Sequence, residues 1–164
     1  MRIYIAIAVG LLICGSSQDA RAQTSAAASQ VVVLEVKPVT RIALSGNPGA
    51  LVITDGQAGN DHLLSVSDNS TAMSITTNRE NMKVVASIDE QMPAGTRLLI
   101  ALEGGKGTGA GTVDISQATM PVDLIVGIGK GFETNRSIQY TFAASASVGQ
   151  VASQSRVVTL TLTD

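Results

Sequence analysis

The chain predicts an all-β fold, an antiparallel sandwich of about seven to ten strands. Three observations point there. Apolar residues recur at alternate positions through much of the chain, the period of a strand with one face buried. Turn-forming clusters arrive roughly every eight to fifteen residues. No stretch places apolar residues at helical spacing over three turns, so no amphipathic helix is expected.

Along the chain, Arg2 precedes an apolar run, Ile3–Ile13, and Ala20-Arg21-Ala22 stands before Gln23. Positive start, apolar middle and small-x-small end make the pattern of a secretory signal peptide over 1–22, cleaved between Ala22 and Gln23. The eleven-residue run falls short of the ~20 residues that span a bilayer. Acylation at Cys14, in "CGSS", is the alternative processing, although Ile13 is bulkier than the residue a lipobox takes there. The expected location is outside the cytoplasm: secreted, periplasmic or on a bacterial cell surface.

Residues 23–30, "QTSAAASQ", form a small, polar, flexible leader, and 31–164 make one domain. "VVVLEVKPVTRIALSG" is rich in β-branched residues and broken by Pro38, which predicts two short strands or one kinked strand. "NPG" at 47–49 is a turn and "ALVIT" at 50–54 a further strand. Residues 55–71 are polar and loop-like around Leu63–Val66. "AMSITT", "MKVVASI", "TRLLIALE" and "PVDLIVGI" follow as strands. In the last third, Ile138, Tyr140 and Phe142 share one face of "SIQYTFAASA", and Val158, Leu160 and Leu162 one face of "RVVTLTLTD". "SVGQVASQS" between them has the length of a hairpin loop. The arrangement expected of these strands is an immunoglobulin-like β-sandwich.

Composition narrows the function. Once 1–22 are removed, nine Lys and Arg stand against twelve Asp and Glu, a net charge of −3, and the basic residues are scattered singly. That is no footprint for nucleic acid. The single cysteine, Cys14, leaves with the signal, so the mature chain is expected to have neither a disulfide nor thiol chemistry. There is no Trp, and only Phe132, Tyr140 and Phe142 remain as aromatics, which starves any stacking surface for sugars, bases or flat cofactors.

Four clusters could carry chemistry. Gly105-Lys106-Gly107-Thr108-Gly109-Ala110 follows a strand and matches G-x-G-x-x-A, but a dinucleotide site needs a helix next, and "GTVDISQATMPVDL" is β-like with a proline. A strand-to-strand loop is therefore expected. His62, the only histidine, lies beside Asp61 with Asp55 and Asp68 nearby; the spacing fits no metal motif, and a solvated loop or a weak calcium site over 55–69 remain the readings. Asp89-Glu90 would point to opposite faces of a strand end and so cannot flank one substrate bond. A Ser–His–Asp arrangement would have to use His62, and no G-x-S-x-G is present. Asn69-Ser70-Thr71 and Asn135-Arg136-Ser137 match the N-x-Ser/Thr pattern and mark surface loops. No metal, cofactor or catalytic residue is expected.

The runs "STAMSITTNRENMKVVASIDEQMPAGTRLLIAL", "SIQYTFAASASVG" and "RVVTLTLTD" together resemble bacterial secreted β-sandwich subunits, fimbrial or spore-coat-U-like, over about residues 31–164. The resemblance implies a structural role in a surface polymer, although the chain lacks the disulfide usual in chaperone–usher pilins. Independently, Val31, Val32, Val33, Leu34, Glu35 and Val36 form an apolar segment behind a flexible leader. Such a segment could add to the sheet edge of a neighbouring copy or pair within its own domain. A subunit of a surface fibre, pilus or coat is the first expectation, self-association through sheet edges its partner. A monomeric adhesin-like module binding a protein or glycan is the second.

Overall fold

The structure, a computed structural model, describes residues 26–62 and 65–164. The expected signal peptide, Cys14 and the Ala22–Gln23 junction lie outside the described residues. Backbone contacts divide the chain into two units, Met1–Glu35 and Val36–Asp164. In the first, residues 26–35 belong to no strand or helix and are exposed.

The second unit is all-β, with nine strands: β1 Thr40–Leu44, β2 Val66–Thr77, β3 Met82–Ile88, β4 Thr96–Leu102, β5 Thr108–Gly109, β6 Thr112–Asp114, β7 Val122–Ile128, β8 Gly131–Ala144 and β9 Val158–Thr163. They form two antiparallel sheets, β1-β2-β8-β4-β6 and β5-β7-β3-β9. Alternation decides most of the side chains that meet between them; in β7 the adjacent Leu124 and Ile125 are both buried, where the register with β3 slips. Leu98, Ile100 and Leu102 of β4, Met73 and Ile75 of β2, and Ile138 and Tyr140 of β8 come from the five-stranded sheet. Met82, Val84, Ala86 and Ile88 of β3, Leu124, Ile125 and Ile128 of β7, and Leu160 and Leu162 of β9 come from the other. The outward partners of these residues, such as Arg97, Thr159 and Thr161, are exposed. This is the two-layered sandwich that the alternating pattern predicts.

The immunoglobulin-like connectivity is not carried by this strand order. Immunoglobulin sheets keep several pairs of consecutive strands side by side; here only β1 and β2 are such a pair. Three of the remaining pairings nest, β2 with β8, β3 with β7 and β4 with β6, with β5 at the innermost turn, and β8 with β4, β7 with β5 and β3 with β9 complete the sheets. Every connection from β2 onward crosses from one sheet to the other, the folded-hairpin arrangement of a jelly roll. Residues 147–155, expected as a hairpin loop, consequently lie in an arch between sheets that runs over 145–157, with a short 3₁₀ turn at Ala146–Val148.

Other segments also depart from expectation. Val31–Val36 and "ALVIT" form no strand. Between the first segment and β1, Pro38 has no N–H to give, and the Asn78 side chain takes the backbone groups on either side of it, accepting from Val39 N at 2.7 Å and donating to Lys37 O at 2.9 Å. In the second, Leu51 packs on the core while Val52 stays exposed, and the segment adds to no sheet edge. Conversely, the polar run Ser67–Ser70 lies inside β2. The register with β8 slips between Asp68 and Thr71, giving a bulge whose free amide is met by Asp68: Ser70 N donates to Asp68 Oδ1 at 3.0 Å. A second bulge lies in β8, where Asn135 takes φ 54° and donates its N–H to Ser74 Oγ; asparagine is among the few residues that tolerate this region.

Ile100 is fully buried at the centre of β4. Ile100→Ala is expected to lower unfolding stability by about 2–5 kcal/mol through lost burial and the cavity left behind, measured by urea denaturation.

Candidate functional site

The glycine loop leaves β4 at Glu103, crosses to the other sheet for β5 and returns for β6, so a strand rather than a helix follows it. Its glycines are needed for close packing. A Cβ on Gly107 would sit 2.6 Å from Val126 O and 2.8 Å from Ile125 Cγ2, and one on Gly105 would overlap the Glu133 carboxylate. The cradle already holds an anion of the protein's own, since Lys106 N donates to Glu133 Oε1. Lys106 Nζ donates to Lys130 O at 3.2 Å and stands 5.9 Å from the Phe132 ring centroid. Arg136 closes the other side, donating to Glu103 O at 3.1 Å and Gly104 O at 2.7 Å. A phosphate here would meet Glu133 where it needs donors.

The carboxylates of the second cluster are spent separately on backbone. Asp55 accepts from Gly56 N at 2.8 Å, and Asp68 serves the β2 bulge. Asp61 reaches a residue the sequence did not single out, Ser145 at the end of β8. Ser145 Oγ donates to Asp61 Oδ2 at 2.6 Å, Ser147 N donates to Asp61 Oδ1 at 3.1 Å, and His62 forms an isolated bridge with Ser145. Serine, histidine and aspartate thus meet, but the hydroxyl donates straight to the carboxylate, whereas a triad places imidazole between the two. The arrangement clamps the 55–62 segment onto the β8–β9 arch. The hydrogen bond from Ser145 leads the effects that hold the Asp61 carboxyl below its ordinary value of 3.8. Among the described residues no group of three His, Cys, Asp or Glu side chains converges as a metal site.

Asp89 and Glu90 also part company. Asp89 Oδ1 accepts from Glu90 N and from Val157 N at 3.0 Å, finishing the β3–β9 ladder, and Glu90 lies 3.8 Å from Arg156. Asn69 and Asn135, expected on loops, sit instead at the two strand bulges, both exposed.

Two recesses on the described surface are lined by residues of these clusters or their neighbours. A trough of about 470 Å³ on the outer face of the five-stranded sheet is lined by Asn69, Ala101, Glu103, Thr112, Ser137 and Gln139 among others. Register explains it: Ala101 lies between Gln139 of β8 and Thr112 of β6, so a methyl group forms the floor of a polar row. A smaller recess, about 390 Å³, lies beside His62, Thr96, Arg97 and Ser145.

The expected donor segment differs in kind. Val31, Val33, Leu34 and Val36 are 93%, 88%, 87% and 86% exposed. Sheet edges are the complementary feature, and the four edge strands are unequal: β5 has two residues, β6 three, β1 five and β9 six. Among the described residues no helix is long and apolar enough to cross a membrane. No family model, curated protein or solved structure matches the chain.

Gly107→Ala is expected to destabilise the protein by about 1–3 kcal/mol, because the obstructing atom is backbone, and thermal unfolding would register it. The Asp61 clamp should depend on acid. A carboxylate whose folded pKa is depressed contributes above its ordinary value and loses that contribution as pH falls through the folded value. The Ser147 amide resonance should therefore hold its position from neutral pH to about 3.8 and move below it. Asp61→Asn should reproduce the acid position at neutral pH.

Proposed function

We propose that this chain is an exported structural subunit of a surface fibre, pilus or coat, and that Val31–Val36 of one copy pairs with a sheet edge of the next. The observation that carries this reading is the exposure of the segment. Five of its six residues are large aliphatics, most of them more than four-fifths exposed, whereas the other apolar runs among the described residues are largely folded into one core. Leaving such side chains in water forgoes roughly 1.5–3 kcal/mol each relative to full burial. Extended at the strand period, Val32, Leu34 and Val36 share one side, and Val31, Val33 and Glu35 the other. Main-chain hydrogen bonds to an edge strand would supply affinity, and the first of these rows would cover apolar surface.

One surface of that kind lies at β1. Leu44 stands opposite Met73 in register and so shares its core-facing side, yet it is 45% exposed, while Met73 is fully buried. Val31–Val36 joined to another subunit's edge is a heterologous contact, which builds an open filament wherever its rotation does not close into a ring. The resemblance to secreted fimbrial and coat subunits supports the same reading, as does the signal-like N-terminus. A monomeric binding module is the second reading, and the polar trough around Ala101 is the observation that favours it.

The full chain, recovered after export, should form concentration-dependent oligomers or filaments in light scattering and negative-stain electron microscopy. Val32→Asp with Leu34→Asp should abolish them while leaving the thermal unfolding of the sandwich unchanged. Unaltered assembly by that variant would refute the leader as the donor. A wild-type chain that stays monomeric and binds a glycan or protein saturably would move the function to the trough.

A further inference from the structure

The last strand offers a contact that does not involve the leader. Asp89 N donates to Val157 O at 3.1 Å, so Val157 is a hydrogen-bonded partner of β3, and so are Thr159, Thr161 and Thr163 by alternation. The other side of β3 agrees, because Ile88 N donates away from β9, to Ala118 O at 2.8 Å. The N–H and C=O groups of Val158, Leu160 and Leu162 therefore point out of the sheet edge. Among the described residues no hydrogen bond reaches them.

Natural edge strands are usually blunted by shortness, charge, proline or a bulge. β5 and β6 are short, and β1 carries Arg41. β9 has none of these protections: six residues, no charge, no proline and a continuous register along β3.

We infer that the outer edge of β9 is an isologous self-association surface, on which β9 of a second copy pairs antiparallel about a two-fold axis. The outward groups define the register. Leu160 faces Leu160 of the second copy, and Val158 faces Leu162. Thr159 then lies opposite Thr161, so apolar side chains meet apolar ones on the core side and threonine meets threonine on the solvent side, both favourable cross-strand pairs. The two four-stranded sheets become one of eight strands, and the contact closes on itself instead of propagating.

Because the donor-strand reading is separate, the test starts from the full chain carrying Val32→Asp and Leu34→Asp. Sedimentation velocity should show this protein as a reversible dimer. Adding Thr159→Lys and Thr161→Lys, both solvent-facing, places like charges directly opposite across the axis and should abolish the dimer with the unfolding transition retained. As an independent readout, Thr159→Cys with Thr161→Cys should give, on mild oxidation, a covalent dimer linked 159 to 161, identified by peptide mapping. A leader variant that is monomeric at every concentration would overturn the inference, as would a dimer that survives the lysines or a failure of residues 159 and 161 to cross-link.

Discussion

The apolar layer between the two sheets is the constraint on which everything else depends. From β2 onward each strand hands the chain to the opposite sheet, so apart from β1 with β2 no strand gains its hydrogen bonds from its neighbour in sequence. β2 waits for β8, β3 for β7 and β4 for β6. Such nonlocal pairing bears its loop-closure entropy before any reward, and burial of Met73, Ile100, Ile138, Val84 and Ile125 is what offsets it. Most of these contacts join residues far apart in the chain.

A fold built of arches leaves many backbone groups at crossings and bulges, and a chain with one cysteine has no intramolecular disulfide to hold them. Short polar side chains do that work. Asn78 holds the approach to β1, Asp68 the β2 bulge, Asp89 the end of the β3–β9 ladder, and Asp61 the arch after β8. Asp114 belongs to the same group. Partial burial would raise its pKa, but hydrogen bonds from Ser116 and the nearby Arg97 prevail and lower it. Residues that suggest acid–base or metal chemistry by type are thus engaged in satisfying the backbone. Glu133 does likewise inside the glycine loop, taking the place a phosphate oxygen would need.

Three features are left uncovered at the periphery: the aliphatic segment Val31–Val36, an uncharged last strand and a first strand whose Leu44 is half covered. Both proposed contacts arise from one physical cause, that a finite sheet must end and its last strands expose unpaired groups. They differ in symmetry. A leader on a foreign edge extends an assembly, whereas two copies of β9 close one.

Local pattern determined much on its own. The alternation in Met82–Ile88, Thr96–Leu102 and Val158–Thr163 specified both the strands and their buried faces, because a period of two is a property of neighbouring residues, whereas in Val122–Ile128 the adjacent Leu124 and Ile125 are both buried, which local pattern did not foretell. It also argued against a nucleotide loop at Gly105–Ala110, since the residues that follow cannot make the required helix. Pairing was beyond it. "ALVIT" and Val31–Val36 have strand composition and no strand, while Ser67–Ser70 has loop composition and lies in β2, because a strand exists only where another offers it an edge. The meeting of Asp61 with Ser145, the Glu133 carboxylate in the glycine loop and the outward turn of the Leu160 backbone are likewise consequences of register between distant segments. Tertiary structure alone decides register, through which faces can be buried together.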